Sequence, residues 1–513
     1  MSGRGRWRAV MAAAVGMMAA AVAVASASED VALWRLEGAV HALAVAGDRL
    51  VAAGRDGAGR AWFEIRAADD GRLSVRRRFA DCTRCAFLDA VAVDHRRAVL
   101  VGSREERGTL ESGWVALVDL DSGRVVRERT LDLAQPNRLS AVAYGFGKLL
   151  AAGSLLRNMG ANVEPFVSEF EPESFTVGAE WPFPAILPRA ALWVEVLAPE
   201  SFLVGGWQVD AAGAGLGGWL ARFTYKGEPV WRAALDREGA LEASAAVVAP
   251  DGRLLVFGYG AAESLSDPAR LRLGLGLRWF DLEEGAGEEG WRLSDPAVSR
   301  SAADAVARDH AVWLLASRRQ GDRAPEEVEL YRMAWGETPR LVRRLGDGER
   351  AMVPARLSMA EDGALWAGGW YRVEEGAEVG ARGWLLRIDP LEAALELRLE
   401  PVAGDRVRAV VRNLGPVPLR VRALTDASVR LVDAEEAWSP LVGRVPGRPV
   451  DRIALDHFLE LAPGDGAAVV LAVPDALRRA RAVRALYSPD FAGAGVGRVL
   501  ASAPLALEAE GRR

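Results

Sequence analysis

Short segments in which apolar and polar residues alternate recur along most of this chain, separated by turns that contain glycine and aspartate. Alternation with a period of two, in segments rich in valine, leucine and aromatic residues, predicts β-strands with one buried face. Turns such as Asp251-Gly252 and Asp121-Ser122-Gly123 are typical of β-hairpins, because glycine supplies the positive φ that they need. The pattern therefore predicts an all-β protein.

One unit of four strands repeats at intervals of about fifty residues, a period typical of propeller blades. Its clearest copy runs from Val194 to Asp236 and reads as an apolar strand, a second strand that ends in glycine, a strand that opens near tryptophan, and a fourth strand. The residue that closes the second strand marks each copy, and the seven markers are Gly54, Gly102, Gly153, Gly206, Gly258, Ser317 and Gly369. Seven copies of such a unit predict a seven-bladed β-propeller.

The ends of this repeat array set the predicted domain boundaries. The segment VALWRL at residues 31–36 resembles the fourth-strand segment EPVWRAAL, so we expect it to complete the last blade near Trp384 to Ile388 and to leave no open sheet edge. The propeller would then occupy residues 28–394. After Leu395 the markers stop, and alternating segments such as DRVRAVVRNLG and GAAVVLAVP predict a small Ig-like β-sandwich over residues 395–513.

The first residues resemble an export signal. Three arginines at positions 4, 6 and 8 precede an apolar stretch from Ala9 to Ala25 and the small-residue site Ala25-Ser26-Ala27. This order is typical of a secretory signal peptide, here residues 1–27, although an uncleaved N-terminal anchor is the alternative. We therefore expect a secreted or cell-surface protein, extracellular or periplasmic.

The repeat also carries a family resemblance. The order of an A-V-A strand, an Asp-Gly turn, an L-V-x-G strand and a W-L-x-R-x-D strand resembles the SBBP and delta-60 type repeat propellers of exported prokaryotic proteins, and more distantly the quinoprotein-like propellers, over residues 31–395. The resemblance implies a fold and no particular activity. The quinoprotein docking motif is only partly present, since Trp231 follows Gly227 but the preceding Asp and Thr are missing.

Charge and reactive residues narrow the possible functions. The net charge of -6 is spread along the chain, so no basic patch predicts nucleic-acid binding. The only cysteines, Cys82 and Cys85, lie between two predicted blades. A local disulfide is the favoured interpretation, and a redox couple, free thiols and a shared metal site remain alternatives.

No pattern of catalytic residues emerges. The chain lacks the common hydrolase, zinc-protease and phosphate-loop motifs, and its four histidines, His41, His95, His310 and His457, are isolated in the sequence. His95 and His310 occupy matching hairpin turns, which favours a structural role. Recurrent tryptophans such as Trp114, Trp219 and Trp384 are interpreted as blade packing. We predict no catalytic residue, no metal site and no cofactor.

The residue after each marker is the remaining candidate. In a propeller the loops that follow the second strands gather on one face around the channel, so these residues would meet there. The predicted ligand-binding set is Arg55, Trp207, Tyr259, Arg318 and Trp370, with Ser103 and Ser154 completing the ring. Aromatic and guanidinium groups together can bind a sugar or a peptide. The alternative is that they are rim residues covered by their own loops.

These observations favour an exported, non-catalytic binding or scaffold protein that recognises a cell-surface protein or glycan through the propeller face. Long loops at 103–113, 207–218 and 370–383 on that face support this hypothesis. Two alternatives remain open. One is a propeller enzyme, either a quinone-dependent oxidoreductase or a polysaccharide hydrolase or lyase, and the other is a structural component of the cell surface.

Overall fold

A computed structural model describes residues 33–388 apart from 83, 106–109, 158–161, 184–187, 210–215, 236–241, 250, 262–272, 289, 294, 296, 309–310, 322–324, 347–349, 362 and 373–381. Beyond these it describes 395–402, 405–414, 419–422, 429–433, 458–462, 464–474, 477, 482–487, 500–501 and 505–506. The predicted signal peptide, His310 and His457 lie outside the described residues.

The first 29 strands build the repeat array. In chain order they are β1 (Leu33–Leu36), β2 (Gly38–Ala46), β3 (Arg49–Asp56), β4 (Ala61–Ala67), β5 (Leu73–Arg78), β6 (Arg84–Asp94), β7 (Arg97–Glu105), β8 (Ser112–Asp119), β9 (Val125–Thr130), β10 (Asn137–Gly145), β11 (Lys148–Arg157), β12 (Asn162–Phe170), β13 (Val177–Pro182), β14 (Arg189–Ala198), β15 (Ser201–Val209), β16 (Leu216–Thr224), β17 (Pro229–Ala234), β18 (Glu242–Val248), β19 (Arg253–Ala261), β20 (Leu273–Asp281), β21 (Gly287–Glu288), β22 (Arg292–Leu293), β23 (Val298–Arg308), β24 (Ala311–Gln320), β25 (Glu327–Ala334), β26 (Arg340–Leu345), β27 (Ala351–Met359), β28 (Leu365–Arg372) and β29 (Arg382–Ile388).

These strands pair into seven antiparallel sheets within the described part of the chain, each formed by consecutive strands. We number them as blades: β2–β5, β6–β9, β10–β13, β14–β17, β18–β22, β23–β26, and β27–β29 with β1. The first strands of successive blades touch in the order β2, β6, β10, β14, β18, β23, β27 and back to β2, so they surround a channel. The all-β prediction is confirmed, and the fold is a β-propeller. Across these residues no helix has the length and apolar character to cross a membrane.

The ring closes through the N-terminal strand. Strand β1 pairs antiparallel with β29, with Trp34 opposite Leu385, and so becomes the outermost strand of the seventh blade. The Trp34 ring stacks on Trp366 of the same blade, with ring centroids 5.0 Å apart. Trp366 Nε1 in turn donates a hydrogen bond to the Ala68 carbonyl of the first blade at 3.1 Å. Backbone pairing thus joins strand β1 to the seventh blade, and the hydrogen bond of Trp366 joins the seventh blade to the first.

Tryptophans pack within and between other blades as well. Trp114, Trp219 and Trp384 are each at most 3% exposed, which confirms their interpretation as blade-packing residues. Trp231 Nε1 of the fourth blade donates to the Leu282 carbonyl of the fifth blade at 2.8 Å. A Cβ on Gly285 would lie only 2.5 Å from the Trp231 ring, so this turn position accepts only glycine.

The marker glycines have a steric cause. Each innermost strand contains a β-bulge, and in five blades a carbonyl next to the bulge points at the marker glycine of the second strand. A Cβ on Gly54 would lie 1.9 Å from the Ala39 carbonyl oxygen, and similar collisions recur at Gly102, Gly153, Gly206 and Gly369. The substituted marker Ser317 keeps its side chain, whose hydroxyl lies 2.8 Å from the Ser301 hydroxyl. The repeated glycine is therefore a consequence of a repeated bulge.

The C-terminal region contributes β30 (Leu395–Val402), β31 (Arg406–Asn413), β32 (Leu419–Arg422), β33 (Val429–Asp433), β34 (Phe458–Leu461), β35 (Gly466–Ala472), β36 (Ala482–Tyr487), β37 (Leu500–Ala501) and β38 (Leu505–Ala506). Its three small sheets share one apolar core, as in a β-sandwich. Arg332 of the sixth blade donates to the Leu395 carbonyl at 2.5 Å, and Glu337 accepts from Arg398. The outer side of the sixth blade thus holds the C-terminal region.

Candidate functional site in the propeller channel

The seven bulges place seven extra residues in equivalent positions around the channel. At the first register shift of every innermost strand the pairing skips one residue, and these residues are His41, Leu88, Ser140, Leu192, Ser244, Ala303 and Ala355. A bulged residue is left out of the strand ladder and its side chain is redirected. All seven line one cavity of about 380 Å³ at the end of the channel where the innermost strands begin.

We call this cavity the upper cavity. Besides the bulged residues it is lined by Glu242, Tyr259, Ser301, Ala302, Ser317, Glu326, Val353, Pro354, Arg356 and Trp370. Its size lies within the range of small-ligand pockets, and its wall combines one indole, several hydroxyl groups and two carboxyl groups. Every blade contributes to the wall, which only a closed ring allows.

Trp370 and His41 form an aromatic pair on this wall. Their ring centroids are 4.8 Å apart, with an interplanar angle of 56°. Burial, with the positive charges of Arg55 and Arg356, lowers the pKa of His41 to about 4. His41 is therefore neutral at physiological pH, and its imidazole can both donate and accept a hydrogen bond.

Tyr259 and Glu242 form a second pair. They are cross-strand partners in the fifth blade, and the Tyr259 hydroxyl is hydrogen-bonded to the Glu242 carboxyl. Burial raises the pKa of Glu242, whereas the bond from Tyr259 acts in the opposite direction. Burial and the nearby Glu242 carboxyl also raise the pKa of Tyr259. The tyrosine thus stays a hydrogen-bond donor.

Arg356 separates the upper cavity from a second cavity further along the channel. From the seventh blade its Nε donates to Asp89 Oδ1 of the second blade at 2.9 Å, and its Nη2 donates to the Leu88 carbonyl at 3.0 Å. The second cavity, which we call the lower cavity, has a volume of about 400 Å³ and is also lined by Arg356. The guanidinium therefore divides the channel into two compartments.

The structure brings two of the five predicted ligand-binding residues together: Tyr259 and Trp370 both line the upper cavity. Arg55 is exposed, outside the lining but near enough to influence His41. Trp207 is half-buried between Ala190 and Gly218 in its sheet and does not line the cavity. The structure therefore places two of the five predicted residues in one cavity and the other three outside it.

Arg318 is occupied inside its own blade. Its side chain is 12% exposed, pairs with Glu327, and has its Nε 3.5 Å from Glu329 Oε1. Glu329 is fully buried and also accepts from Arg300 at 2.9 Å and Arg344 at 2.8 Å. This network satisfies a buried charge, so the Arg318 guanidinium faces protein partners and not the cavity. Ser103 and Ser154 are buried as well.

The sequence reasoning missed the inner-strand residues of the site, above all His41, Glu242 and Arg356. A signal for them exists, because each bulged residue lies 13 or 14 positions before its marker, as His41 does before Gly54 and Ser244 before Gly258. Counting back from the markers identifies the channel lining, provided that the marker glycine is recognised as the partner of a bulge.

Cys82 and Cys85 stand apart from both cavities. The structure joins them in a disulfide, with their Cα atoms 6.1 Å apart. Both are buried in an apolar cluster that includes Phe79, Phe87 and Trp114. Their environment is that of a brace between the first two blades, and the assignment as a structural disulfide remains a prediction.

The described residues of the upper cavity do not fit a metal ion or a quinone cofactor with Ca²⁺. Among the described residues, no three acidic or histidine side chains gather into a metal-binding group. The one guanidinium on the described wall of the upper cavity, Arg356, is held by Asp89, so it is not free to bind the carboxylates of a quinone. We derive no chemical step through such a group.

Comparison with known proteins gives a fold-level likeness. No protein-family model matches the chain, and no curated protein does. Among solved structures, the polysaccharide lyase Uly1 is 10% identical over 68% of this chain and 90% of its own, with a TM-score of 0.45. The β-propeller domain of the Trilobed protease from Pyrococcus furiosus is 12% identical over 70% of this chain and 98% of its own, with a TM-score of 0.39.

The Pyrococcus horikoshii acylaminoacyl peptidase is also 12% identical over 74% of this chain, with a TM-score of 0.40, and the chain spans 59% of it. The β-propeller assignment itself rests on the strand pairing and the closed ring of blades described above.

Proposed function

We propose that this chain is an exported binding protein that holds a neutral glycan in the upper cavity, without chemical turnover. The observation that carries the proposal is the Trp370 indole on the cavity wall, packed against the neutral imidazole of His41. An indole offers a flat apolar surface for the C–H face of a sugar ring, and hydroxyl and carboxyl groups around it can bind the sugar hydroxyls.

The charges at the cavity favour a neutral glycan over an acidic one. Arg356 is paired with Asp89, and Glu326 is paired with Arg372 at 2.9 Å. The polar groups left for a ligand are therefore mainly the Tyr259–Glu242 pair, His41 and the serines. A carboxylate brought in by an acidic sugar would meet Glu242, while Arg356, the cation on the described cavity wall, is already paired with Asp89.

The wider assignments belong to the same proposal. Export, a cell-surface or secreted location, the SBBP-type repeat and the Ig-like character of the C-terminal region are parts of it that rest on sequence patterns. The C-terminal region would act as a spacer or attachment module, since Arg332 and Glu337 fix it to the sixth blade.

A glycan panel tests the proposal. The mature chain from Ser28 should bind neutral glycans in preference to uronic-acid glycans, and Trp370→Ala should weaken binding at least tenfold, about 1.4 kcal/mol. Phe146→Ala is the matched control, because Phe146 is 65% exposed in the β10–β11 turn at the other end of the channel. Equal binding by the Trp370→Ala protein would contradict the assignment of the site.

The same mature chain and the same glycans distinguish this proposal from the alternative functions. New reducing ends in the bound glycan would favour the polysaccharide-degrading enzyme, and concentration-dependent assembly of the mature chain would favour a structural surface component. If no glycan binds but a protein from the cell envelope is retained by wild type and lost with Trp370→Ala, the cavity recognises a protein.

A further inference from the structure

The lower cavity carries a separate chemistry. Among the residues that the structure describes, three carboxyl groups line it, those of Asp89, Glu195 and Asp304, against the one guanidinium of Arg356. The rest of the wall is largely apolar and includes Val91 and Val306. A confined space with an apolar wall and an excess of carboxyl groups favours a ligand that joins an alkyl stem to a positive charge.

Two of these carboxyl groups have structural partners in the next blade. Asp89 Oδ2 accepts from the Val142 backbone N–H at 2.9 Å, and Asp304 Oδ2 accepts from the Leu357 N–H at 2.8 Å. Each satisfies an N–H group on the free edge of an innermost strand, where no neighbouring strand can do so. Their roles in closing the ring are thus accounted for.

Glu195 has no such role. It lies on β14 two residues beyond Trp193, and among the described residues its carboxyl makes no hydrogen bond and no ion pair. The Glu195 side chain is exposed to the water of the channel, while the protein around it desolvates the carboxyl and raises the pKa of Glu195 to about 7. With no partner among the described residues, its carboxylate can pair with a cation that enters the lower cavity.

We propose that the lower cavity binds a primary alkylammonium group, the chemistry of a lysine side chain or of a small free amine, with Glu195 as the counter-ion. The ammonium group would donate to Glu195 and to the Ser358 hydroxyl, and the alkyl stem would lie along the valines. A metal ion fits less well, because no three acidic or histidine side chains converge among the described residues. This site is independent of the glycan site above Arg356.

Calorimetric titration of the full-length mature chain with n-butylammonium at pH 8.0 tests the proposal. We expect saturable binding that weakens at least tenfold in Glu195→Gln and is unchanged in Glu180→Gln, whose parent residue is exposed on the outermost strand β13. 1-Butanol should not bind. At pH 5.5, below the pKa of about 7 for Glu195 and the pKa of about 6 for Asp304, both of these carboxyl groups in the lower cavity gain protons and the affinity for n-butylammonium should fall.

A short peptide with one central lysine separates the two sources of the ammonium group. Competition by the peptide identifies a lysine side chain, and binding of n-butylammonium alone identifies a free amine; either result supports the site. Equal binding of n-butylammonium by Glu195→Gln and wild type, equal binding of 1-butanol, or displacement by Ca²⁺ at equal concentration would overturn it. A Glu195→Asp protein with restored binding would show that loss in Glu195→Gln reflects the charge and not misfolding.

Discussion

Arg356 on the seventh blade binds Asp89 on the second, passing the first blade and crossing the channel, with Nε and Oδ1 2.9 Å apart. The two side chains are 22% and 15% exposed. The same guanidinium donates to the Leu88 carbonyl of the second blade, so Arg356 joins two blades that are not neighbours in the ring. It holds the ring together across its centre and divides the channel into the two cavities.

Removing this pair should destabilise the propeller. Arg356→Met leaves the Asp89 carboxylate without its counter-charge, and we expect the free energy of unfolding to fall by about 2–3 kcal/mol, at the low end for a buried pair because water reaches both groups. Denaturant unfolding measures the loss. Arg72→Met is the control, since Arg72 and Asp70 are a 3.7 Å surface pair with side chains 76% and 57% exposed. Equal midpoints for the two variants would contradict the role given to Arg356.

The marker glycines should resist even the smallest substitution. A Cβ at Gly102 would lie 1.9 Å from the Ala86 carbonyl oxygen, so Gly102→Ala must displace the bulged strand β6. We expect a loss of about 2–3 kcal/mol in denaturant unfolding. Gly178→Ala, where the nearest atom would be 3.9 Å away, should change stability by less than about 0.5 kcal/mol. A tolerant Gly102 would mean that the bulge does not explain the repeat.

His41 should remain neutral in the folded protein down to about pH 5. Its pKa of about 4 lies below the ordinary value of 6.5, so the folded protein binds fewer protons at this site than the unfolded chain between these limits. Its contribution to stability is present above pH 6.5 and is lost as the pH falls towards 4. In NMR spectra of the four histidines, one imidazole signal should keep its chemical shift between pH 8 and 5.5. The His41→Gln protein should lack that signal.

Titration of all four histidine signals with pKa values near 6.5 would contradict this picture. The same spectra give a second readout, because the His41 signal should shift when a glycan occupies the upper cavity beside Trp370.

Glu195 should make stability fall as the pH rises. Its folded pKa of about 7 lies above the ordinary value of 4.5, so the folded state binds the extra proton between these limits. Ionisation of Glu195 then lowers the free energy of unfolding, on the order of 1–2 kcal/mol after allowing for water in the channel. Glu195→Gln should be more stable than wild type at pH 8 and equal to it at pH 4. A pH-independent difference between the two proteins would contradict this assignment.

The architecture can be predicted from the sequence because the same structural unit repeats along the chain. The recurring markers, hairpin turns and tryptophans predict the blades, and the likeness of VALWRL to EPVWRAAL predicts the strand that pairs with β29. The cavities were harder to predict. The seven bulged residues line the upper cavity, and beyond each of them the alternation of inward and outward residues is shifted by one. Arg356 looks like any strand arginine in sequence, and its partner Asp89 is 267 residues away.

The same reason explains why the structure brings only Tyr259 and Trp370 of the predicted ligand-binding residues into the upper cavity. Tyr259 and Trp370 line the upper cavity, whereas Arg318 pairs with Glu327 and Glu329 on the neighbouring strand. Pairing between strands of one blade depends on register, which the marker alone does not give.

We propose that the ligand site is the upper cavity and not the complete set of residues that follow the markers. Calorimetric titration of the best neutral glycan into wild type, Trp370→Ala and Trp207→Ala tests it most directly, because both tryptophans follow a marker but only Trp370 lines the upper cavity. We predict at least tenfold weaker binding for Trp370→Ala and unchanged binding for Trp207→Ala. Loss of binding in Trp207→Ala with wild-type affinity in Trp370→Ala would contradict the account.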